Sequence, residues 1–485
     1  MTIIDLPPDR RIAGARLAAV LGTWQRPGPA YGALADALRS AVLSGSVPLS
    51  TRLPSERELA EAVGVSRTTT TAAYDLLRDE GYLVSRRGSG TVTTLPVDRS
   101  ASAPDTVGPV DALVDLTIAA PSAPSSLHGA YLAALDALPR HLTGTGYAPA
   151  GLPVLREAIA QRYRDRGTPT TPEQILVTTG AQQAIHLLVA AHAGPGDRVA
   201  VEHPTYPHAI EAVRAVGARP VAVPAGPDGL DLDLLESTLR QSAPRLVYLI
   251  PDHRNPTGTS LTGAERERVR SLARRHRTLV VGDEVLRDLT LDGPEPEPFD
   301  GDGTGGAHVV SIGSVSKAFW GGLRVGWVRA HPDLVARLAV RRGHVDIATP
   351  VLEQLVAAEL LTADDGTLER RRAGLRERRD LLLDALADEL PGWRPNAPAG
   401  GLALWVDLGA PLSSALAALA PRHGVRVAAG TAFSVDGSFE DYLRIPFSAS
   451  PDDLRRAVTG LRRAWTDVGG EAHRLVGRPA TAMVV

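Results

Sequence analysis

The sequence predicts an α/β protein in two parts, a small N-terminal unit and a larger domain built on a mainly parallel sheet with helices on both faces. Residues 26–94 contain three helix-sized apolar patterns followed by two short β-rich runs. Residues 95–112 are rich in proline, serine, alanine and aspartate without an apolar period, which predicts an exposed linker. From about residue 170, short apolar runs alternate with helical stretches, as in buried parallel strands joined by helices.

The composition excludes several kinds of site. The 485 residues include no cysteine, which excludes disulfides, thiolate metal sites and cysteine nucleophiles, and we expect no metal. A net charge of −3 indicates no attraction of the whole chain to nucleic acid or membrane. The N-terminal stretch has early acidic residues and no long apolar core, and no run of about 18 apolar residues occurs. We therefore expect a cytoplasmic protein without a membrane partner.

The N-terminal unit has the signals of three helices and a hairpin. A helical apolar period runs through residues 31–45, and Ser55 and Glu58 have the spacing of a capping box. Ser66 can cap a third helix, which Gly81 closes. The stretch YLVSRRGSGTVTT places two β-rich runs around Arg-Gly-Ser-Gly, which predicts a hairpin. Three short helices and a hairpin make a winged helix-turn-helix.

In a winged helix-turn-helix, the N-terminal end of the third helix enters the major groove of DNA. The residues that we expect at the DNA lie at the start of the third helix, on the wing, and at the start of the second helix, whose free amides favour anions. They are Ser66, Arg67, Thr68 and Thr69, then Arg86 and Arg87, then Ser55 and Arg57.

The spacing of RLPSERELA, VSRTTTTAAYDLLRDEGYL and RRGSGT resembles the GntR family of bacterial regulators. The resemblance implies binding to double-stranded operator DNA. The positions that match the operator contacts of the family are Arg52, Arg57, Arg67, Thr69, Arg78 and Gly90. The alternative is that these are solvated arginines on a small helical domain.

In the larger domain, the informative residues fall at the carboxyl ends of predicted strands, where sites in such sheets lie. Gly180 ends the run ILVTTG, and together with Ala181 and Gln182 it opens a helix whose N-terminal amides can bind phosphate. The other residues in such positions are Tyr206, Asn255, Asp283, Ser314, Ser316 and Lys317, with Arg324 seven residues later.

Lys317 is the only lysine among 52 basic residues. Arginine cannot replace lysine where a neutral amine must attack a carbonyl, because the guanidinium stays protonated. Lys317 therefore predicts an imine with an aldehyde cofactor, although a rare residue left on a surface loop is the alternative. Asp283 can keep a pyridine nitrogen protonated, Asn255 can donate to a ring hydroxyl, and Tyr206 can cover one face of the ring.

The remaining residues of this set suit anions. The amides of Ala181 and Gln182, with Ser314, Ser316 and Arg324, can neutralise a phosphate. Arg444, in DYLRIPFSAS, can hold a substrate carboxylate by two hydrogen bonds. Once a substrate amine has released it, Lys317 can move the α-proton as a general base.

The order GYAPAGLPVLREAIAQRY, TTGAQQAI, EHPTYP, NPTG, GDE, SxSK and LRIPF resembles the fold-type I aminotransferases, which use pyridoxal 5'-phosphate. The resemblance covers roughly residues 115–467. It implies an internal aldimine on Lys317 and a homodimer in which Tyr147 reaches the phosphate of the neighbouring subunit. It also implies a domain over 113–467, with a small α/β lobe from about 365 to 467, and we expect residues 468–485 to form a flexible tail.

A GntR-type unit joined to an aminotransferase-like domain resembles the MocR subfamily of regulators. This implies a transcriptional regulator that senses pyridoxal 5'-phosphate, or the cofactor with a small amino or carboxylate effector. Two alternatives remain: an active aminotransferase that carries a DNA-binding domain, and a structural DNA-binding dimer without cofactor, which leaves Lys317 unexplained.

The sequence departs from the aminotransferase pattern near Asp283. Relatives carry a tyrosine two or three positions later, whereas this chain has Val285 and Leu286. A buried hydrogen bond to a charged group contributes roughly 1.5–3 kcal/mol, so its loss favours a sensor over an efficient enzyme. We expect Trp320 and Trp327, near the lysine, to be packing residues.

Overall fold

The computed structural model describes residues 10–25, 28–43, 46–48, 51–86, 90–94, 113–226, 229–301, 306–363 and 365–476. The predicted linker of residues 95–112 lies outside this described part of the chain, and so does Arg87. No helix in the described ranges has both the length and the apolar character needed to cross a membrane.

The N-terminal domain packs its helices and one small sheet around a single core. Leu34, Leu38, Tyr74 and Leu77 are buried in that core. The strands follow the order β1-β2-β4-β3, and β3 and β4 form the predicted hairpin. The elements are β1 (Arg10–Arg11), α1 (Gly14–Leu21), α2 (Ala30–Leu43), β2 (Thr51–Arg52), α3 (Glu56–Val63), α4 (Arg67–Asp79), β3 (Leu83–Arg86) and β4 (Gly90–Thr93).

Serine caps set the starts of α3 and α4, as the sequence predicts. Ser55 Oγ accepts a hydrogen bond of 3.2 Å from the amide of Glu58. In the same way, Ser66 Oγ accepts one of 3.1 Å from the amide of Thr69. Each cap satisfies an amide that has no partner within the helix, which contributes about 1 kcal/mol. The starting positions of α3 and α4 are thereby fixed.

The large lobe is an eight-stranded sheet in the order β6-β13-β12-β11-β10-β7-β8-β9. Its strands pair in parallel except at β13 and β9. The strand β5 (Val114–Asp115) precedes the lobe. The elements of the lobe are α5 (Leu127–Ala137), α6 (Pro153–Asp165), β6 (Ile175–Thr178), α7 (Ala181–His192), β7 (Arg198–His203), α8 (Pro207–Ala215), β8 (Arg219–Gly226), β9 (Gly229–Leu230), α9 (Leu232–Ser242), β10 (Leu246–Leu249), α10 (Gly263–His276), β11 (Leu279–Asp283), β12 (Val309–Ser314), α11 (Val315–Ala318), β13 (Gly326–Arg329), α12 (Pro332–Arg342) and α13 (Val351–Thr362).

Both faces of the large sheet are covered, as the continuous apolar runs predict. Along β7, Val199 and Val201 pack in one core and Ala200 packs in the core on the opposite face. The carboxyl ends of β7, β10, β11 and β12 therefore meet at one edge of a rigid sheet, and the loops that follow them are held side by side.

The small lobe packs a four-stranded antiparallel sheet, in the order β14-β15-β18-β17, against long helices. Leu382, Leu404, Ile445 and Leu461 are buried in its core. Its elements are α14 (Thr367–Glu389), β14 (Arg394–Pro395), β15 (Ala403–Asp407), α15 (Ser413–Leu419), β16 (Val425–Arg426), β17 (Ala428–Ala429), β18 (Tyr442–Pro446) and α16 (Pro451–Val476).

Two predicted boundaries need correction. First, β5 pairs in parallel with β16, and Val114 and Leu116 are buried in the small-lobe core, so this lobe contains residues well before 365. Second, α16 continues to Val476, into the stretch 468–485 that the sequence predicts as a flexible tail. Val468, the first residue of that stretch, is buried, as is Ala464 one turn before it. Residues 477–485 lie outside the described part of the chain.

Candidate functional site

A cavity of about 540 Å³ lies between the carboxyl edge of the large sheet and the small lobe. Most of the residues that the sequence singles out in the larger domain line it. They are Ala181, Gln182, Tyr206, Asn255, Asp283, Ser314, Ser316, Lys317, Arg324 and Arg444. Gly180 adjoins the cavity as the residue before α7. Tyr147 is outside it and 69% exposed, so it does not reach the cavity of its own chain.

Lys317 lies on α11, a short helix that Ser314 caps through the amide of Ser316 at 3.1 Å. Its Nζ donates a hydrogen bond of 2.7 Å to the carbonyl of Ala119. The pKa of Lys317 falls to about 8 because burial disfavours the charged amine; the Arg444 guanidinium acts in the same direction and Asp283 opposes it. About a tenth of this amine is therefore neutral at pH 7. A neutral amine is the form that attacks an aldehyde.

Asp283 ends β11 with its carboxylate buried at the floor of the cavity. Its Oδ2 accepts a hydrogen bond of 2.7 Å from the phenol of Tyr248, and its Oδ1 accepts one of 3.1 Å from the amide of Val285. Burial raises the pKa of Asp283 to about 6, although these two hydrogen bonds act against the rise. The carboxylate is thus held in one orientation and still has a high affinity for a proton.

Sequence reasoning missed Tyr248. It lies within the apolar run of β10, where an aromatic residue suggests packing, but a buried phenol needs a hydrogen-bond partner. In the parallel sheet, β10 is the neighbour of β11, and this pairing brings the phenol to Asp283.

The corner of the cavity at the start of α7 combines helix amides with a cation. Gly180 has a φ of 81°, and a Cβ there would lie 2.6 Å from Nη2 of Arg324. Only glycine allows both this backbone conformation and the close approach of the guanidinium. Arg324 Nη2 lies 3.3 Å from the carbonyl of Thr179. Free amides at a helix N-terminus beside a guanidinium form a site for a dianion such as a phosphate.

Asn255 follows β10 in a loop that a buried ion pair holds in place. Arg254 Nε donates to Glu202 Oε1 at 2.7 Å, and both side chains are fully buried. Glu202 Oε2 also accepts from the amide of Ile250 at 2.8 Å. Sequence reasoning missed this pair, because the two residues are 52 positions apart and neither follows a recognisable spacing.

Arg444 lies on β18, only 6% exposed, with its guanidinium at the cavity. Its Nη2 donates to the carbonyl of Thr117, and its Cζ lies 5.0 Å from the ring centre of Phe433. Burial lowers the pKa of Arg444 to about 10, so the side chain stays charged at neutral pH. Its Nε has no hydrogen-bond partner among the described residues. An unpaired buried N–H of a charged group is costly, so this edge of the guanidinium is suited to receive an anion.

The departures from the aminotransferase pattern also lie at the cavity. Val285 and Leu286 line its wall and present no hydroxyl group.

Trp327 is 6% exposed and packs in the core, with its Nε1 donating to Tyr163 at 3.3 Å. Trp320 packs on the same core, so the structure confirms the expectation that both tryptophans are packing residues.

In the N-terminal domain, the start of α4 is exposed as a candidate DNA contact requires. Arg67 and Thr68 are exposed, and the hydroxyls of Thr68 and Thr69 lie 2.7 and 2.8 Å from Ser66 Oγ. At the start of α3, Arg57 has a side chain 81% exposed, in a weak surface pair with Glu61. These positions stay a prediction of DNA contact.

Besides the capping residues Ser55 and Ser66, three predicted DNA contacts make structural contacts within the domain. Arg78 bonds Asp75 at 2.5 Å, Glu56 at 3.3 Å and the Thr91 hydroxyl at 3.3 Å, which ties α4 to α3 and to the hairpin. A Cβ at Gly90 would lie 2.9 Å from Nε of Arg52, so glycine lets the Arg52 side chain pass. The side chain of Arg86 lies outside the described part of the structure.

Comparison with known proteins assigns both parts of the chain. Residues 115–461 match the family model for aminotransferases of class I and II, and residues 30–92 match the bacterial regulatory proteins of the gntR family. A 2-aminoadipate transaminase of Thermus thermophilus is 35% identical over 323 residues, which cover 66% of this chain and 78% of that relative. YisV of Bacillus subtilis, an HTH-type transcriptional regulator, is 28% identical over 90% of this chain and 95% of its own length.

Among solved structures, LysN of Thermus thermophilus, an alpha-aminoadipate aminotransferase in complex with N-(5'-phosphopyridoxyl)-L-leucine, superposes with a TM-score of 0.68. It is 31% identical, and the match covers 74% of this chain and 94% of that structure. The two enzyme matches thus cover 66% and 74% of this chain, whereas the regulator match covers 90% of it. The chain therefore belongs to the class I and II aminotransferase family, and the GntR-family domain ahead of its aminotransferase domain gives it the MocR-type architecture.

Proposed function

We propose that the protein is a DNA-binding transcriptional regulator whose aminotransferase domain holds pyridoxal 5'-phosphate on Lys317 and responds to a small amino compound. One observation carries the proposal: in a chain with a helix-turn-helix domain, the only lysine lies in a cavity that also presents a buried carboxylate and a helix N-terminus. The glycine cradle at Gly180 and the unpaired Nε of Arg444 fit a phosphate and a carboxylate respectively.

Each residue of the cavity has a defined part. The cofactor, when bound, supplies an aldehyde and a pyridine ring that can accept electrons. Lys317 Nζ is the attachment point and can accept a proton from the α-carbon of a ligand. Asp283 holds a proton at the ring nitrogen, Asn255 donates to the ring hydroxyl, and Tyr206 covers one ring face.

The anion-binding residues fix the position of cofactor and ligand. The phosphate is held by the residues at the start of α7 and around α11, namely Gly180, Ala181, Gln182, Ser314, Ser316 and Arg324. Arg444 binds the carboxylate of the ligand. Tyr147, exposed near the start of α6, completes the phosphate site of a second subunit in a homodimer.

The cofactor assignment is tested by the visible spectrum of the purified chain with pyridoxal 5'-phosphate. Lys317→Ala removes the only side-chain amine, so the visible band of the attached cofactor is expected to disappear. A band that persists in Lys317→Ala would show that the cofactor is held elsewhere. Lys317→Arg, which keeps the charge but not the nucleophile, is the matched control and is expected to lose the band as well.

The regulatory assignment implies that the protein acts in the cytoplasm. It is tested on DNA from upstream of the protein's own gene. Arg67→Ala removes an exposed cation from the start of α4. We expect weaker binding in a mobility-shift assay and a smaller dependence of affinity on salt. Arg57→Ala, at the start of α3, should weaken binding without a change in sequence preference. An unchanged shift with Arg67→Ala would remove this assignment.

A second candidate function is catalysis of transamination. It is favoured by the lowered pKa of Lys317 and by the cavity positions of Asp283 and Arg444, as in an aminotransferase. Against it, Leu286 offers no hydrogen bond to the cofactor. Incubation of the cofactor-loaded protein with a panel of amino and keto acids decides between them, since an enzyme must complete at least one half-reaction.

A further inference from the structure

The hydrogen-bonding edge of Arg444 is only half used within the chain. Nε and Nη2 lie along the same edge of a guanidinium, the edge that binds a carboxylate by two parallel hydrogen bonds. Nη2 donates to the Thr117 carbonyl, whereas Nε has no partner among the described residues. A neutral carbonyl oxygen is thus the acceptor at Nη2, one of the two nitrogens to which a carboxylate would bind. A ligand carboxylate can displace it because a charged acceptor forms the stronger bond.

The sheet around Arg444 leaves space for such an anion. Ala428 on β17 is the direct partner of Arg444 in the register, so the two side chains lie on the same face. On β15 the direct partner of Arg444 is Trp405. Ala403 lies two residues before Trp405, so its side chain is on the same face of the sheet. Both alanines line the cavity. Their small side chains make room beside the guanidinium.

Part of the cavity wall is apolar. Ile118, Leu286, Leu402 and Phe433 line it on the side of the small lobe. No acidic side chain other than Asp283 lines the cavity within the described residues. Asp283 lies at the floor of the cavity, bonded to Tyr248 and to the amide of Val285. A cationic ligand side chain therefore has no counter-charge in this wall.

The nearby basic groups are already neutral or paired. His253 Nε2 lies 2.8 Å from Thr290 Oγ1, and burial lowers the pKa of His253 to about 4, so its ring is uncharged at neutral pH. Arg254 is 1% exposed, and its charge is balanced by Glu202. Once the cofactor has engaged Lys317 and Arg324, Arg444 is the arginine left for a ligand among the described residues that line the cavity.

From this arrangement we infer that the ligand of the regulator is an α-amino acid with one carboxylate and an apolar side chain, whose carboxylate displaces the Thr117 carbonyl from Arg444. This inference rests on the proposed function. The inferred ligand class differs from the compound in the name of the Thermus thermophilus relative, a 2-aminoadipate transaminase. A second carboxylate, or a side-chain ammonium, would be buried against apolar residues without a partner, which weakens binding.

The test uses norleucine and three compounds that each differ from it by a single group. Norleucine has one carboxylate and a linear apolar side chain; 2-aminoadipate replaces its terminal methyl by a carboxylate, lysine adds a terminal amine, and pentylamine lacks the α-carboxylate. Calorimetric titration of the cofactor-loaded full-length protein measures each affinity. Norleucine is expected to bind at least about ten-fold more tightly than each of the other three compounds.

The outcomes separate the inference from the proposed function. A visible cofactor band before any ligand is added tests the proposed function alone. If the band is present but 2-aminoadipate or lysine binds as tightly as norleucine, the apolar ligand class is wrong. Equal binding of pentylamine and norleucine contradicts the displacement of Thr117 from Arg444, and an absence of norleucine binding overturns the inference as a whole.

A pair of variants at Ala428 tests the carboxylate site directly. Ala428→Glu supplies a carboxylate beside Arg444, so norleucine affinity should fall about ten-fold, to that of pentylamine. Ala428→Gln adds nearly the same volume without charge and is expected to retain more of the norleucine affinity. Both variants should keep the visible cofactor band. Equal losses in the two variants would show that crowding, and not competition for Arg444, controls binding.

Discussion

Replacing Tyr248 by phenylalanine tests how the large sheet controls the charge of Asp283. The substitution removes one hydrogen bond of 2.7 Å to Oδ2 and leaves the amide of Val285 on Oδ1. A buried hydrogen bond to a charged group contributes roughly 1.5–3 kcal/mol. This energy corresponds to about 1–2 pKa units, so the pKa of Asp283 should rise from about 6 to about 7–8.

The consequence is a change in the pH dependence of cofactor binding. Only ionised Asp283 can hold a proton at the ring nitrogen, so affinity falls as the pH drops through the pKa of this carboxyl. In the wild type the loss is centred near pH 6. In Tyr248→Phe the loss of affinity should be centred at about pH 7–8. At pH 7 the ionised fraction of Asp283 would then fall from about nine-tenths to between about a half and a tenth.

The assay is a titration with pyridoxal 5'-phosphate, followed by visible absorbance, at several pH values. Tyr163→Phe is the matched control, because it removes another buried phenol that bonds a carboxylate, Glu284 at 3.0 Å, outside the lining of the cavity. The control should keep the pH profile of the wild type. If Tyr248→Phe also keeps it, the hydrogen bond does not set the proton affinity of Asp283 and the reasoning fails.

Three further predictions concern stability and local backbone. In cofactor-free protein, Asp283→Asn should raise the free energy of unfolding at pH 7 by up to about 3 kcal/mol, because the pKa of Asp283 is raised from 3.8 to about 6 and its ionised form is disfavoured in the fold. The stability that protonated Asp283 contributes is present below pH 3.8 and is lost as the pH rises through about 6. The stability difference between Asp283→Asn and the wild type should therefore vanish in thermal unfolding at low pH. Gly180→Ala should lower cofactor affinity at least about ten-fold in a visible titration, since its φ is 81° and the new Cβ would meet Arg324; Gly196→Ala, at a φ of 87° with open space around it, is the control for backbone strain alone. Ser66→Ala should cost about 1 kcal/mol of stability and weaken the mobility shift, whereas Ser66→Asp, which can still cap α4, should keep the stability.

Much of the fold follows from local patterns in the sequence. The short apolar runs after about residue 170 form strands of the large lobe, and Ser55 and Ser66 cap the helices that they were expected to cap. These signals are local, because a capping residue or an apolar period acts within a few positions of the chain. The pairing of β5 with β16 is not local: Asp115 and Arg426 are 311 residues apart and form an ion pair of 3.2 Å. No short pattern encodes such a contact.

The parts of the site that consist of side chains could be predicted from the sequence, whereas the contacts made by backbone carbonyls could not. The residue types and spacing of the predicted set identify most of the cavity. The carbonyls of Thr117 and Ala119, which bond Arg444 and Lys317, leave no trace in residue types, since every residue has a carbonyl. Tyr248 was missed for a different reason, because a phenol within an apolar strand resembles an ordinary core residue.

The central claim is that Lys317 carries the cofactor, and intact-protein mass spectrometry after borohydride reduction tests it most directly. The chain has one lysine, so Lys317 and the N-terminus are the only primary amines available. We predict one reduced pyridoxyl group per chain, located on the peptide that contains Lys317, and none in Lys317→Ala. An unmodified wild-type chain, or a group attached only at the N-terminus, would contradict the claim.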